Sequence, residues 1–161
     1  YYKMGNYNRP ERWDVNLAIC KVISLRARCQ RGKVGCIITK NHRIISSGYN
    51  GPLLGSKPCN DINWDLSQKC EHAVHAELNA IAAAAREGIS LEGTTLYCTH
   101  GPCYDCAKVI IQSGIVQIVY IEDYKNERGV DLIKNSSVNI LKVTYTNDDN
   151  LYDQIKNYSL R

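Results

Sequence analysis

The first half of the chain combines one helical pattern with short β-branched runs. Across residues 10–28, apolar side chains recur at helical spacing after an early proline, which predicts an amphipathic helix. Residues 34–39 and 43–49 are rich in β-branched side chains and flank a short polar turn, so they predict a β-hairpin. Residues 48–69 show little periodicity and contain several glycines and prolines, which indicates a long loop of the kind that is usually functional.

Helices and strands alternate through the second half. The predicted elements are a helix at 73–87, a strand at 94–99, a helix at 103–113, a strand at 117–124, a short helix at 130–135, a strand at 139–145 and a terminal helix at 150–160. A hairpin followed by this alternation predicts a three-layer α/β/α domain with a mixed five-stranded sheet. We expect residues 1–161 to form this single domain, because no linker or repeat interrupts them.

The composition is that of a soluble globular protein. The 161 residues are 44% hydrophobic, which is ordinary for one domain with a real core. No apolar stretch approaches the ~20 residues of a membrane span, and the first residues lack the apolar core of a signal peptide, so we expect a cytoplasmic protein without a membrane partner. A net charge of +4 favours an anionic ligand only mildly. The basic residues form no aromatic-interleaved tract, so we expect no nucleic-acid partner.

Eight cysteines leave a choice among disulfides, metal ligands and buried thiols. In a chain of this size without a secretion signal, metal binding or free thiols are favoured over a disulfide scaffold. Cys20, Cys36 and Cys98 fall on the faces of predicted helices or strands, so we interpret them as buried apolar side chains.

Two short segments supply the parts of a hydrolytic metal centre. His75-Ala76-Glu77 and Pro102-Cys103-Tyr104-Asp105-Cys106 form the H-x-E and P-C-x-x-C pair that is typical of zinc-dependent nucleobase deaminases. His75, Cys103 and Cys106 would give Zn²⁺ three protein ligands and leave the fourth position for water, as in catalytic sites. A helix beginning near Pro102 would place both sulfurs on one face. We assign Glu77 as a proton shuttle and not as a ligand.

Each half of this pair also has a less specific interpretation. A Cys-x-x-Cys can be a redox pair or half of a structural zinc ribbon, and a His-x-Glu can be a chance match. Here an alanine-rich helical run follows the histidine, and the cysteines follow the predicted strand 94–99, which is the context that the motif requires. The joint occurrence therefore favours a catalytic zinc. His100 lies near the second segment, but the ligand count is complete without it.

Longer sequence segments, around and beyond the two zinc motifs, distinguish among the deaminase families that share those motifs. They are Lys-Val-Gly at 33–35, Gly-Tyr-Asn-Gly at 48–51, His-Ala-Glu-Leu-Asn-Ala-Ile at 75–81, and the Pro-Cys to Cys-Ala-Lys segment at 102–108. Together they closely resemble deoxycytidylate (dCMP) deaminases, especially those of bacteriophages, over roughly residues 10–145. The resemblance implies a cytidine-deaminase-like fold. It also implies hydrolysis of dCMP to dUMP and ammonia, which supplies thymidylate synthesis, in the host cytoplasm for a phage protein.

The resemblance implies substrate contacts as well. Asn50 should lie in the sugar pocket, where its carboxamide can both donate to and accept from the 3′-hydroxyl, although asparagine is also a natural turn residue. Arg26, at the end of the first helix, is our preferred phosphate contact. It could equally cap that helix, and Arg28 and Lys33 are competitors.

Three further residues take roles from the resemblance. Tyr120 and Tyr124 could line the base and phosphate side, although tyrosines in strands are more often packing residues. Arg86 resembles an arginine tied to subunit contacts and effector response, and it also has a simple electrostatic interpretation near a helix end. The family implies a homohexamer that is activated by dCTP with Mg²⁺ and inhibited by dTTP.

A second, structural zinc is also implied. Phage relatives are similar in carrying cysteines before the Lys-Val-Gly strand and after the Gly-Tyr-Asn-Gly loop, and Cys29 and Cys59 match those places. Cys70 and His72 could complete a closed ligand set, and Glu71 is an alternative to either of them. Free buried cysteines are the alternative. We favour zinc because the long loop otherwise lacks a core.

Rival functions share part of this evidence. A tRNA adenosine deaminase has the same zinc chemistry, but the Gly-Tyr-Asn-Gly segment and the lack of a focused basic surface argue against it. A non-catalytic zinc-binding regulatory homologue is disfavoured by Glu77, because a structural zinc needs no acid–base carboxylate. A deaminase of free cytosine or nucleosides would follow if the phosphate pocket were absent.

Overall fold

The computed structural model describes residues 10–57, 70, 72–145 and 152. Its helices are α1 Arg12–Ser24, α2 Ala76–Arg86, α3 Tyr104–Gln112 and α4 Arg128–Lys134. Its strands are β1 Gly35–Lys40, β2 Arg43–Tyr49, β3 Gly51–Pro52, β4 Ala73–Val74, β5 Thr94–His100, β6 Ile115–Glu122 and β7 Asn139–Lys142. None of these described helices has the length and apolar character needed to cross a bilayer.

A mixed five-stranded sheet lies at the centre, in the order β2-β1-β5-β6-β7. β1 pairs antiparallel with β2 and β5, whereas β6 pairs parallel with β5 and β7. The parallel strands are joined by α3 and α4, because parallel neighbours need a crossover and not a tight turn. The β1–β2 hairpin turns at Asn41 and His42, whose positive φ angles suit a two-residue hairpin loop. The predicted hairpin and mixed sheet are confirmed.

Helices cover both faces of this sheet. On one face α1 packs over β1 and β5, and Leu17 joins Tyr152 in a buried cluster. On the other face α2, α3 and α4 enclose the larger core. Adjacent residues of β6 serve opposite faces, since Ile118 belongs to the larger core and Val119 to the α1 cluster, as the period of two in a strand requires. The predicted three-layer α/β/α architecture is confirmed.

The three cysteines interpreted as apolar lie inside this structure. Cys20, Cys36 and Cys98 are fully buried, and Cys36 stands opposite Cys98 where β1 pairs with β5. Burial raises the pKa of the Cys20 and Cys36 thiols well above the ordinary value. Cys20 and Cys36 are therefore protonated thiols of the core.

Predicted and observed elements differ mainly at their ends. The first motif helix begins at Ala76 and not at residue 73, because β4 immediately before it pairs with β3. The predicted loop 48–69 therefore begins with a strand, and its residues 58–69 lie outside the described residues. α1 ends at Ser24 and not at residue 28, and the chain continues in turns with short-range hydrogen bonds. Of the predicted terminal helix 150–160, only Tyr152 is described, and it is helical.

At two glycines of the sheet, the backbone of a helix packs directly against the backbone of a strand. A Cβ on Gly35 would overlap the carbonyl oxygen of Cys20 in α1. A Cβ on Gly48 would overlap the carbonyl oxygen of Ala76 at the start of α2. No side chain separates these helices from the sheet at those points, so the contact at Gly48 fixes the end of α2 that follows His75.

Candidate active site

The first residues of α2 and α3 come together beside the carboxyl end of β5. His75 is the N-cap residue of α2 and Cys103 is the N-cap residue of α3, both with extended backbone. His75 Nδ1 lies 3.4 Å from Cys103 Sγ and 3.4 Å from Cys106 Sγ. In the part of the chain that the structure describes, these three atoms form one group with every pair within 4.8 Å. The fold therefore assembles the three residues of the two motifs.

The donor chemistry of this group fits zinc. Cys103 Sγ accepts the backbone N–H of Cys106 at 3.5 Å, and the dipole of α3 favours negative charge at this position. The hydrogen bond from the Cys106 thiol lowers the pKa of Cys103 to about 4, and the same contact raises the pKa of Cys106. A cation bound between the two sulfurs would stabilise both as thiolates, and two sulfurs with one imidazole are typical zinc ligands.

Glu77 lies in the first turn of α2, close to the ligand group. The residue is only 4% exposed, and this burial raises the pKa of its carboxyl above the ordinary value of 4.5. The three-atom ligand group does not include Glu77, but the walls of the adjoining cavity do. A buried carboxyl that faces a cavity without joining the ligand set suits proton transfer.

A cavity of about 290 Å³ opens beside the ligand group. Its walls combine the ligands His75 and Cys103 with Glu77 and with two basic side chains, Arg31 and Lys125. Metal ligands, a buried carboxyl and cations in one pocket match the needs of a small anionic substrate.

Comparison with known proteins agrees with this geometry. The model of the cytidine and deoxycytidylate deaminase zinc-binding region matches residues 13–122. The chain belongs to the cytidine and deoxycytidylate deaminase family. The deoxycytidylate deaminase of Enterobacteria phage T2 is 37% identical, over 84% of this chain and 94% of that protein. The deoxycytidylate deaminase of Enterobacteria phage T4 is 38% identical, over 81% of this chain and 89% of that protein.

A solved structure is similar over the same range. The crystal structure of dCMP deaminase from the cyanophage S-TIM5, in complex with dCMP and dUMP, covers 85% of this chain and 100% of that chain, with 31% identity and a TM-score of 0.78. The resemblance predicted from the motifs is confirmed, and the chain is a zinc-dependent deaminase of the hydrolase class.

Two of the predicted substrate residues of this deaminase line the cavity. The ring centroid of Tyr124 lies 6.4 Å from that of His75. Asn50 is buried, and its Oδ1 accepts the Val34 N–H at 2.7 Å while its Nδ2 donates to the Gly32 carbonyl at 2.9 Å. Its side chain therefore holds the segment that leads into β1. The amide has a second N–H and a second lone pair with which to meet a ligand.

The other predicted substrate and effector residues lie elsewhere in this deaminase. Arg26 is exposed beyond the end of α1 and is not among the residues that line the cavity. Tyr120 lines a separate cavity of about 240 Å³. Arg86 is exposed and is the last residue of α2.

The predicted second metal site is described only in part. Cys29 and Cys70 both line the cavity of the deaminase, whereas His72 is exposed. Cys59 and Glu71 lie outside the described residues. The described members of the predicted set do not by themselves form a ligand group.

No motif predicts Arg31 and Lys125 as cavity residues. For Lys125 a topological signal exists, because ligands of parallel sheets bind beyond the carboxyl ends of strands and Lys125 follows β6. Arg31 carries no comparable signal. Its neighbour Gly32 is held by Asn50, so its place at the cavity depends on a contact distant in sequence.

A hydrogen-bonded network connects the cavity wall with the α1 face of the sheet. His100 Nε2 lies 3.2 Å from Glu122 Oε2, and Thr99 Oγ1 lies 2.9 Å from His100 Nδ1. Tyr152 donates its hydroxyl to Glu122 Oε1 at 2.7 Å. The hydrogen bond from His100 lowers the pKa of Glu122 to about 2, and the bond from Tyr152 acts in the same direction.

Acid should weaken this network within a definite pH window. Because the pKa of Glu122 falls from 4.5 to about 2 in the folded protein, its carboxylate stabilises the fold fully above pH 4.5, and this stabilisation is lost as the pH falls towards 2. We expect the Tm of the wild type to fall more steeply than that of Glu122→Gln between about pH 5 and pH 3, in thermal denaturation followed by circular dichroism. Protonation of the metal ligands affects both proteins and cancels in the comparison. An equal pH dependence of Tm in the two proteins would contradict the lowered pKa of Glu122.

Proposed function

We propose that this deaminase hydrolyses dCMP to dUMP and ammonia. The observation that carries the proposal is the cavity in which the ligand group and Glu77 share one space with Arg31 and Lys125. The ligand group and the carboxyl supply hydrolytic chemistry, and the basic side chains suit a phosphate, which a free nucleoside lacks. The phage relatives named deoxycytidylate deaminase and the cyanophage enzyme crystallised with dCMP and dUMP support the same substrate.

We assign His75, Cys103 and Cys106 as the residues that hold the catalytic zinc, and Glu77 as the residue that moves protons. Zinc, when bound, supplies a Lewis acid that activates water for attack on C4 of the pyrimidine. Glu77 takes a proton from the attacking water and delivers it to N3 of the base. It then takes the remaining proton of the oxygen added at C4 and delivers it to the amine, which leaves as ammonia. Its burial beside the ligand group, yet outside it, supports this role.

Substrate contacts follow from the cavity walls. We assign Asn50 to the sugar, because its second N–H and lone pair suit a hydroxyl that both donates and accepts. We assign Tyr124 to the base, because its ring lies near that of His75. Arg31 and Lys125 take the place of Arg26 as phosphate contacts, because they line the cavity and Arg26 does not.

The phosphate assignment predicts different effects on two substrates. Arg31→Ala and Lys125→Ala should each lower kcat/KM for dCMP by about 10- to 100-fold, which corresponds to the ~1.5–3 kcal/mol of a hydrogen bond between charged groups. The lower rate with deoxycytidine should not change, because that substrate has no phosphate. Ammonia release with both substrates measures the difference, and Arg26→Ala is the matched control, which should behave as wild type.

The same assay separates the rival functions. Equal wild-type rates on dCMP and deoxycytidine would exclude a phosphate pocket. Faster turnover of a tRNA anticodon stem than of dCMP would indicate a tRNA adenosine deaminase. A zinc-loaded protein that releases no ammonia from any of the three would be a non-catalytic regulatory homologue.

We further propose that this enzyme is a homohexamer, activated by dCTP with Mg²⁺ and inhibited by dTTP, and that its dUMP supplies thymidylate synthesis in the cytoplasm. Regulation of this kind needs a residue that can reach a subunit boundary or an effector. Arg86 supports the proposal because it is exposed at the end of α2, the helix whose other end follows His75.

We also propose a structural zinc held by Cys29 and Cys59 together with Cys70 and His72. Its support is that Cys29 and Cys70, which are distant in sequence, line the same cavity. An ion at this place would tie the loop at 48–69 to the segment before β1 and would add its binding free energy to the stability of the fold.

A further inference from the structure

His100 is the last residue of β5 and lines the catalytic cavity together with Glu77. Both nitrogens of its ring have protein partners: Nε2 faces Glu122 Oε2 at 3.2 Å, and Nδ1 faces Thr99 Oγ1 at 2.9 Å. A ring held at both nitrogens presents its carbon edge or its face to a ligand. His100 is therefore suited to shape the cavity wall, and not to exchange protons with a substrate.

Glu122 also makes a backbone contact with the residue that follows His100. Its backbone carbonyl accepts the N–H of Gly101 at 2.9 Å, and Gly101 leads directly into Pro102 and Cys103. One residue of β6 thus fixes both the imidazole and the peptide that follows it. Of these two contacts, only the one to the imidazole uses the carboxylate of Glu122, so the orientation of the ring depends on where that carboxylate lies.

Tyr152 contacts the other oxygen of the same carboxylate. It is 1% exposed and packs with Leu17, Val119 and Val143 on the α1 face of the sheet. Its hydroxyl donates to Glu122 Oε1 at 2.7 Å. Lys21 Nζ lies 5.5 Å from the centre of its ring, which adds a cation–π contact. A buried ring held on several sides gives the carboxylate a fixed donor.

We propose that Tyr152 and Glu122 are positioning residues, which set the orientation of His100 and through it the fit of the substrate in the cavity. The proposal rests on the proposed function only for the identity of that substrate. Substrate binding then depends on the hydroxyl of a residue that packs on the α1 face of the sheet and does not line the cavity. Because the ring shapes the wall and transfers no proton, its misplacement should affect KM and leave kcat nearly unchanged.

The Tyr152→Phe variant tests this dependence, since it removes the hydroxyl and keeps the ring. We expect KM for dCMP to rise about 3- to 10-fold with kcat within about twofold, the range set by losing one hydrogen bond. Tyr145→Phe is the matched control. The Tyr145 hydroxyl donates to Asp14 Oδ1 at 2.7 Å, and the ring packs against the same cluster. An equal rise of KM in the control would show general loosening of the α1 face and would overturn the proposal.

A double-mutant cycle identifies the residue through which Tyr152 acts. In a His100→Ala background, Tyr152→Phe should change KM no further, because the ring that it positions is gone. Full additivity of the two changes would mean that the hydroxyl acts through another group, and the proposal would be wrong.

The ring nitrogens can also be observed without any substrate. We expect the ¹⁵N signals of the His100 imidazole to shift in Tyr152→Phe and not in Tyr145→Phe, with His100→Ala assigning them among the four histidines. Unchanged signals would overturn the positioning role even in an active enzyme. Shifted signals in a protein that does not deaminate dCMP would instead overturn the proposed function and retain the network.

Discussion

Replacing Glu77 with glutamine should nearly abolish turnover while the metal stays bound. The amide keeps the size of the carboxyl but cannot carry a proton, so kcat should fall by about 10²- to 10⁴-fold, the usual contribution of a positioned acid–base group. Metal content should equal that of the wild type, because Glu77 lies outside the three-atom ligand group. Ammonia release and atomic absorption on the same preparation measure the two quantities together.

Glu87→Gln is the control for the loss of a negative charge on this helix. Glu87 is exposed at the C-cap of α2, at the end opposite the cavity, so the variant should keep both activity and metal. Loss of metal from Glu77→Gln would make Glu77 a ligand. Retained activity would show that another group, and not Glu77, transfers the protons.

Gly129→Ala should destabilise the protein and weaken its metal binding. In an ordinary helix the same change would stabilise by about 1 kcal/mol. Here Gly129 lies in α4, where a Cβ would overlap the carbonyl oxygen of Pro102 and would come within 2.6 Å of the carbonyl carbon of Cys103. Forcing a methyl group into such a contact costs about 1–3 kcal/mol or more. Because Cys103 belongs to the ligand group, the displacement should reach the metal site.

Thermal denaturation and competition with a zinc chelator measure the two effects of Gly129→Ala. The control is Gly51→Ala, where the nearest atom to the added Cβ is a ring carbon of Tyr49 at 3.9 Å, an ordinary contact. We expect the control to keep its metal affinity. A higher Tm in Gly129→Ala would mean that α4 can move away from the Cys103 turn at little cost.

The ligand group could be predicted from sequence because each half of it is local. His75 and Cys103 stand at helix N-caps, and the spacing within each motif is set by the first turn of its own helix. The alternation of strands and helices likewise predicts the layers and the mixed sheet. Strand β4 has no local signal, because its two residues are extended only through their pairing with β3.

The basic residues of the cavity depend on tertiary structure. The preference for Arg26 as a phosphate contact assumes a helix that runs to residue 28, whereas α1 ends at Ser24 and the following turns leave Arg26 exposed. Arg31 reaches the cavity on a segment whose backbone is held by Asn50. The role of Tyr152 depends on Glu122, which lies 30 residues away in sequence. Contacts between residues so far apart in sequence leave no periodic pattern from which they could be predicted.

The placement of His75 and Cys103 at two helix starts also concerns the folding of the chain. These residues are 28 positions apart, and α2 and β5 lie between them. An ion bound by both is a cross-link that closes this loop, as a disulfide would, and it reduces the conformational freedom of the unfolded chain. Zinc affinity and the stability of the helix–strand unit between the ligands are then two measures of one equilibrium, so a substitution that loosens this unit also lowers the occupancy of the catalytic site.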